Sequence, residues 1–237
     1  MSSHEWGPFG LPRSAKYQAV SSTSSTVTPT PLPTVVVSST EPWLVKDINP
    51  DSHPADSSNP AEFAVSGSYV FFAADREDTG RELWKSDGTE AGTVLVKDIN
   101  SGPGGSSIRD LVDVNGMVFF VANDGTHGNE LWRSDGTPAG TIMLKDISIW
   151  EEEPGPKELT NMNGQLFFVA NDSAYNATWQ LPPNEELGRS DGTPAGTFMV
   201  KNIIPQTFNS PDLGSRPADL IALNGKLYFT ALNIYRE

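Results

Sequence analysis

ELWRSDGTPAGTIMLKDI, residues 130–147, is the stretch that decides the fold. Two short runs rich in strand-forming residues flank a tight, glycine-bearing turn. Asp135 is of the type that accepts backbone N–H bonds in such a turn, and Gly136 supplies the positive φ it requires. The same pattern stands at 82–99 as ELWKSDGTEAGTVLVKDI, with Asp87 and Gly88 in the turn. It returns at 185–203 as EELGRSDGTPAGTFMVKNI, with Asp191 and Gly192. The KDI triplet begins at Lys46, Lys97 and Lys145 and returns as Lys201-Asn202-Ile203, in steps of 51, 48 and 56 residues. The SDGT strings begin at Ser86, Ser134 and Ser190, in steps of 48 and 56. A third marker, the turn pairs Ser66-Gly67, Asn115-Gly116, Asn163-Gly164 and Asn224-Gly225, keeps the same phase. Periods of this size point to propellers or helical arrays.

The interior of one repeat separates those two. RDLVDV (109–114) precedes Asn115-Gly116, a strong two-residue hairpin signal. MVFFVAND (117–124) follows, then NELWRS, DGTPAG and TIMLKDI. That is four short strands per repeat, the size of a propeller blade. No segment carries helical apolar spacing over three turns. The runs Tyr69–Ala74, Met117–Ala122 and Gln165–Ala170 are apolar with little alternation, as expected of a strand covered on both faces. The chain is therefore predicted to be all-β and β-propeller-like. Its four-stranded blades are about 50 residues long, three of them full and the rest partial. Residues 1–40 are predicted to be a disordered tail, since 20–40 are almost entirely Ser, Thr, Pro and Val. The repeat domain is placed at 41–237, with repeats near 49–99, 100–147 and 148–203 and a partial one at 204–237. Such a chain is either a piece of a larger propeller or a four-bladed ring in which Trp43–Ile48 supplies the closing strand. In the first case, missing blades or a further copy complete the ring.

Charge narrows the partners. The 237 residues hold 16 basic and 30 acidic side chains, a net charge of −14. That surface repels phosphate backbones, so nucleic acid is not an expected partner. No cysteine is present, which excludes disulfides, thiol catalysis and thiolate metal sites. No run approaches the roughly 18 apolar residues of a membrane span. The first twenty residues lack the apolar core of a secretory signal.

Glu82–Ile99 and Glu130–Ile147 together resemble the ELW-x-x-DGT repeat family, and the resemblance extends over 43–237. It implies a propeller-like fold, an extracellular or cell-surface location in large bacterial proteins, and no established activity. The hairpin also resembles the Asp-box of sialidase propellers, where the aspartate is structural. The third copy departs from the pattern: Gly188 stands where Trp84 and Trp132 stand, and looser packing is expected there.

The turn residues Asp87, Gly88, Asp135, Gly136, Asp191 and Gly192 read as structural, because a catalytic site needs its unusual residues once. Trp84 and Trp132 read as packing anchors, with a sugar-stacking platform as the alternative. The Lys and Asp of KDI point to opposite faces of a strand, and either one of them bridges to the next blade or the segment lies on a solvated rim. The loop Asn123–Glu130 is rich in oxygen donors, and Asp124, Thr126 and Glu130 are its calcium candidates. No other cofactor is indicated. The expanded 171–187 loop carries N-glycosylation sequons at Asn171 and Asn176. His4, His53 and His127 lie in unrelated segments, so neither a metal cluster nor a Ser-His-Asp set is apparent. The expected function is a non-enzymatic extracellular scaffold or adhesion module that binds protein or glycan. The alternatives are a glycosidase-type propeller enzyme, with Glu185 and Glu186 as the acids to test, and a structural repeat without a ligand.

Overall fold

A computed structural model describes residues 43–50, 57–147, 155–171, 185–201 and 214–232. The tail at 1–40, Asn176 and most of the expanded loop lie outside these residues.

The described residues form antiparallel sheets and no helix, so no helix is long and apolar enough to cross a membrane. The first sheet runs β1 (Ala61–Ser66), β2 (Tyr69–Arg76), β3 (Gly80–Ser86) and β4 (Val94–Lys97), each strand paired with the next. The second repeats this with β5 (Arg109–Val114), β6 (Met117–Asn123), β7 (Asn129–Ser134) and β8 (Ile142–Lys145). The third comprises β9 (Lys157–Met162), β10 (Gln165–Asn171), β11 (Glu185–Ser190) and β12 (Phe198–Lys201). A two-stranded sheet follows, β13 (Ala218–Leu223) with β14 (Lys226–Thr230).

The hairpins between first and second strands follow local chemistry. Asn115 and Gly116 have φ of 54° and 82°, and Asn163-Gly164 and Asn224-Gly225 match them. Positive φ at both central residues is the type I′ signature, which suits the twist of a strand pair. The first repeat corrects the expected phase. Ser66 is the last residue of β1 and pairs with Tyr69, so its turn is Gly67-Ser68 rather than Ser66-Gly67.

Stacking of the sheets explains the unalternating apolar runs. In β6, Val118, Phe120 and Ala122 join a core with Phe71, Ala73 and Leu83 of the first sheet. The intervening Phe119 and Val121 join a core with Leu166, Phe168 and Ala170 of the third. Side chains still alternate in direction, but both directions end in a neighbouring sheet, so both are apolar. Phe167, Val169 and Leu187 of the third sheet pack in turn on Leu220, Leu227 and Phe229. Successive sheets approach most closely at their first strands: β1 lies beside β5, β5 beside β9, and β9 beside β13.

The KDI segments hold the sheets together away from those first strands. Lys46, Lys97 and Lys145 each send Nζ to a threonine carbonyl in the turn of the following sheet. The distances are 2.9 Å to Thr93, 2.8 Å to Thr141 and 3.2 Å to Thr197. Lys46 and Lys97, both half-buried, fit the bridging alternative, and Lys145 makes the same bond while remaining exposed. Ile48, Ile99 and Ile147 of the same triplets sit in the junction cores. Trp43–Asn49 thus covers the first sheet as a KDI strand covers each later one.

At the third copy, the ring of Phe168 occupies the space beside Gly188. A β-carbon there would lie 2.5 Å from two ring carbons of a fully buried side chain. The looseness expected from the lost tryptophan is thus largely taken up. What remains is a cleft of about 90 Å³ bounded by Ile147, Phe168, Phe198 and Met199. Gly188→Ala is expected to destabilise the chain by about 1–3 kcal/mol through this overpacking, read as a lowered urea midpoint. An unchanged midpoint would show that Phe168 is free to move aside.

Candidate functional site

Each SDGT turn is closed by the same bonds. In the first, Thr89 donates both its backbone N–H (2.9 Å) and its hydroxyl (2.7 Å) to Asp87 Oδ1. The Thr89 hydroxyl accepts from Gly92 N at 2.9 Å. Thr93 Oγ1 donates to the Thr89 carbonyl at 2.7 Å, which commits its only proton. The buried Ser86 hydroxyl, 2.7 Å from Thr93 Oγ1, must therefore be the donor in that pair, and it accepts from Gly88 N at 3.0 Å. Asp135 and Asp191 repeat the arrangement. The second glycine of the motif is required by contact. A β-carbon on Gly92, Gly140 or Gly196 would fall 2.0 Å from Oδ1 of Asp87, Asp135 or Asp191. Bonds from the threonine hydroxyl and amide hold all three aspartates below their ordinary pKa. The six turn residues are thus joined to their own hairpins.

The glutamates of the ELW strands are fully buried. Glu82 accepts from Ser106 Oγ (2.7 Å), Ile99 N (3.0 Å) and Asn100 N (3.2 Å). It thereby ties β3 to the end of its own KDI segment and to the segment leading into the next sheet. Glu130 accepts from Ile147 N at 2.8 Å. Glu186 accepts from Ser215 N at 3.0 Å and Ser215 Oγ at 2.5 Å. These are junction carboxylates, a role the sequence did not suggest. Beside the first junction, Gly80 and Gly105 meet backbone to backbone. A β-carbon on Gly80 would lie 2.5 Å from Gly105 N, so no side chain fits.

The calcium candidates do not converge. Asp124 accepts from its own turn, at Thr126 N and His127 N (2.9 Å each), and pairs with His127 Nδ1 at 2.8 Å. Thr126 is exposed, while Glu130 points into the sheet junction. Among the described residues, no three His, Cys, Asp or Glu side chains gather to hold a metal ion. Asn171 ends β10 and is buried, at 8% exposure. Glu185 is paired with Lys157 at 2.6 Å. Trp84 and Trp132 are buried, at 2% and 5% exposure, which fits packing anchors. Trp132 Nε1 donates to the Ala122 carbonyl at 3.1 Å.

The structure does bring together a set of side chains that sequence reading missed. Glu62, Asp110, Glu158 and Asp219 are the second residues of β1, β5, β9 and β13. All four adopt left-handed backbone, with φ between 57° and 59°. The register of each first strand against its partner slips there, as at a β-bulge, which redirects the side chain. Glu62 Oε2 accepts from Asp110 N at 2.8 Å, and Glu158 Oε2 from Leu220 N at 3.3 Å, linking consecutive first strands. Arg109 Nη1 bonds Asp110 Oδ2 at 2.6 Å and the Pro156 carbonyl at 3.0 Å. Glu62, Asp110 and Glu158 line a cleft of about 550 Å³ with Lys157, Thr160 and Leu111. A larger cleft, about 860 Å³, lies between Lys46–Pro50 and Arg76–Asp78, but it adjoins residues 51–56, which lie outside the described structure. The first-strand cleft is the better candidate surface because four sheets line it, three of them with a carboxylate from the equivalent position. The one available signal was an acidic residue five positions before each hairpin turn, visible only once the first turn is placed at Gly67-Ser68.

Fold and site define an all-β protein of sequentially stacked antiparallel sheets, with its repeated polar residues spent at turns and junctions. No protein-family model matches the chain, and comparison with curated proteins finds no relative.

Proposed function

We propose that the chain is a β-propeller-type repeat scaffold that acts as a non-enzymatic extracellular binding module for a protein or glycan. One observation carries this reading. The motif side chains whose bonds are described above close a turn or join two sheets. Chemistry at those positions would dismantle the frame, so recognition falls to exposed residues outside the SDGT, ELW and KDI motifs. The surface on offer is the first-strand cleft and the loops around it. Its carboxylates suit a ligand with basic groups or several hydroxyls. The extracellular setting rests on the resemblance to the ELW-x-x-DGT repeats alone. The propeller arrangement accords with four-stranded meanders that approach one another at their first strands.

The test is a glycan array and a panel of basic peptides, run beside a chromogenic glycoside panel. Binding is expected to weaken at least fivefold in Glu158→Gln, with no glycoside turnover. Turnover on the panel would replace this reading with the glycosidase one.

A further inference from the structure

The internal junctions show what each sheet face is built to meet. Along the stack, Ala64↔Phe71 and Val112↔Phe119 are the same cross-strand pair, and both lie against the following sheet. The matching pair in the last sheet, Ile221↔Tyr228, is exposed, with Ile221 at 61%. On the opposite face, Leu159 and Leu220 are buried against the preceding sheet. The residue at their position in the first sheet is Phe63, and it is exposed, as is its neighbour Val65 at 68%. Among the described residues, the stack thus leaves two apolar faces of opposite kind exposed.

The extents of the two faces also match. On the first sheet, Ile48 already packs on Phe72, Ala74 and Trp84, and Lys46 already ties to the Thr93 carbonyl. The outer half of that face is therefore occupied, and the uncovered part is the inner half, on β1 and the start of β2. What covers an inner half elsewhere in the molecule is the first two strands of the neighbouring sheet. β13 and β14 are such a pair. Within one chain they do not reach the first sheet, because β13 lies against β9 and makes no comparable contact with β1.

We propose that these faces join head to tail between two copies of this chain. The β13–β14 face of one copy seats on the β1–β2 face of the other, inside the segment Trp43–Ile48 that already lies on that face. The occupant is a second copy because its β13–β14 pair is the same two-strand unit that packs on the following sheet at the internal junctions. It also carries the residues that fill this position at the internal junctions. Such a contact uses two different patches, so it closes into a ring when the rotation allows. It rests on sheet packing alone and does not depend on what the module binds.

The test is light scattering of the full chain after gel filtration, across the micromolar range. The wild-type chain is expected at twice its 25.6 kDa or a higher multiple. Val65→Glu and Ile221→Glu each spoil one face and are each expected to run as single chains with the wild-type CD spectrum, because both positions are exposed in the single chain. An equimolar mixture of the two variants is expected to recover a species of two chains, since it retains one intact junction. A second pair, Phe63→Lys and Leu223→Lys, gives the same pattern and replaces the first if either spectrum changes. A wild-type chain that is single at every concentration overturns the proposal. So do single variants that still associate, or a mixture that stays single.

Discussion

Trp132→Ala is expected to cost about 3–5 kcal/mol, the usual range for removing a large aromatic from a core. Trp132 fills the junction between the first two sheets, packed with Ile99, Val118, Phe120 and Ala122. Its indole N–H is bonded to the Ala122 carbonyl, and the Lys97 ammonium lies 5.6 Å over its ring. The substitution removes apolar contact on two sheets and leaves a buried carbonyl short of a donor. Lys97 keeps its bond to the Thr141 carbonyl, so the junction weakens without losing its polar tie. Trp84→Ala is expected to cost less. Trp84 Nε1 has no hydrogen-bond partner, and the residue borders the wide cleft beside Lys46–Pro50. Urea unfolding of both variants measures the difference. Equal losses, or a loss under about 1 kcal/mol for Trp132→Ala, would mean that the junction collapses around the vacancy.

The second large effect is on pH dependence and comes from Glu82. Burial pushes its carboxyl up from the ordinary 4.5 to about 7, against the bonds from Ser106, Ile99 and Asn100 that favour the anion; the charge of Asp98 adds to the rise. In the unfolded chain Glu82 loses its proton near 4.5, and in the folded chain near 7. Between those values the folded state binds more protons than the unfolded state, so stability falls as pH rises. The shift corresponds to about 3 kcal/mol, fully present below the lower value and lost above the upper one. Glu82→Gln keeps the uncharged shape, so it is expected to flatten this part of the profile. The three turn aspartates act in the opposite sense. Their lowered pKa values give stability that is present above the ordinary 3.8 and lost as pH falls through the folded values. For these groups, maximal stability is therefore expected near pH 4, between the ordinary values of 3.8 and 4.5 that bound the two windows. Urea midpoints at pH 5 and pH 8 check this. A wild-type midpoint that does not drop at the higher pH, or a variant that drops equally, would remove Glu82 as the cause.

Much of the frame was legible because its causes are local. Asn115-Gly116 makes its hairpin wherever it stands, since both residues tolerate positive φ. Ser86-Asp87-Gly88-Thr89 closes its turn with its own side chains, the Gly92 backbone N–H and the Thr93 hydroxyl, within eight residues. The phase error at Ser66-Gly67 is of another kind. Either Ser-Gly or Gly-Ser can occupy a two-residue turn, and only the pairing of Ser66 with Tyr69 selects between them. The reading of Glu130 as a calcium ligand failed to see its partner, because Ile147 N lies 17 residues away and is brought near by the meander. Glu62, Asp110, Glu158 and Asp219 were missed because left-handed backbone at an acidic residue costs about 1–2 kcal/mol and no local pattern announces it. The packing of consecutive first strands imposes it.

By itself, then, the sequence determined the number of strands per repeat, the turns between them, and the apolar character of both faces of β2, β6 and β10. Each depends on backbone preference or on patterning over a few residues. Only the tertiary structure decided which sheet each face meets and where the ELW glutamates are buried. It alone decided that the KDI lysines cross to the next turn, and that the first strands set their carboxylates around one cleft. Those outcomes join residues some 20 to 60 positions apart, and the stacking of whole sheets brings them within bonding distance.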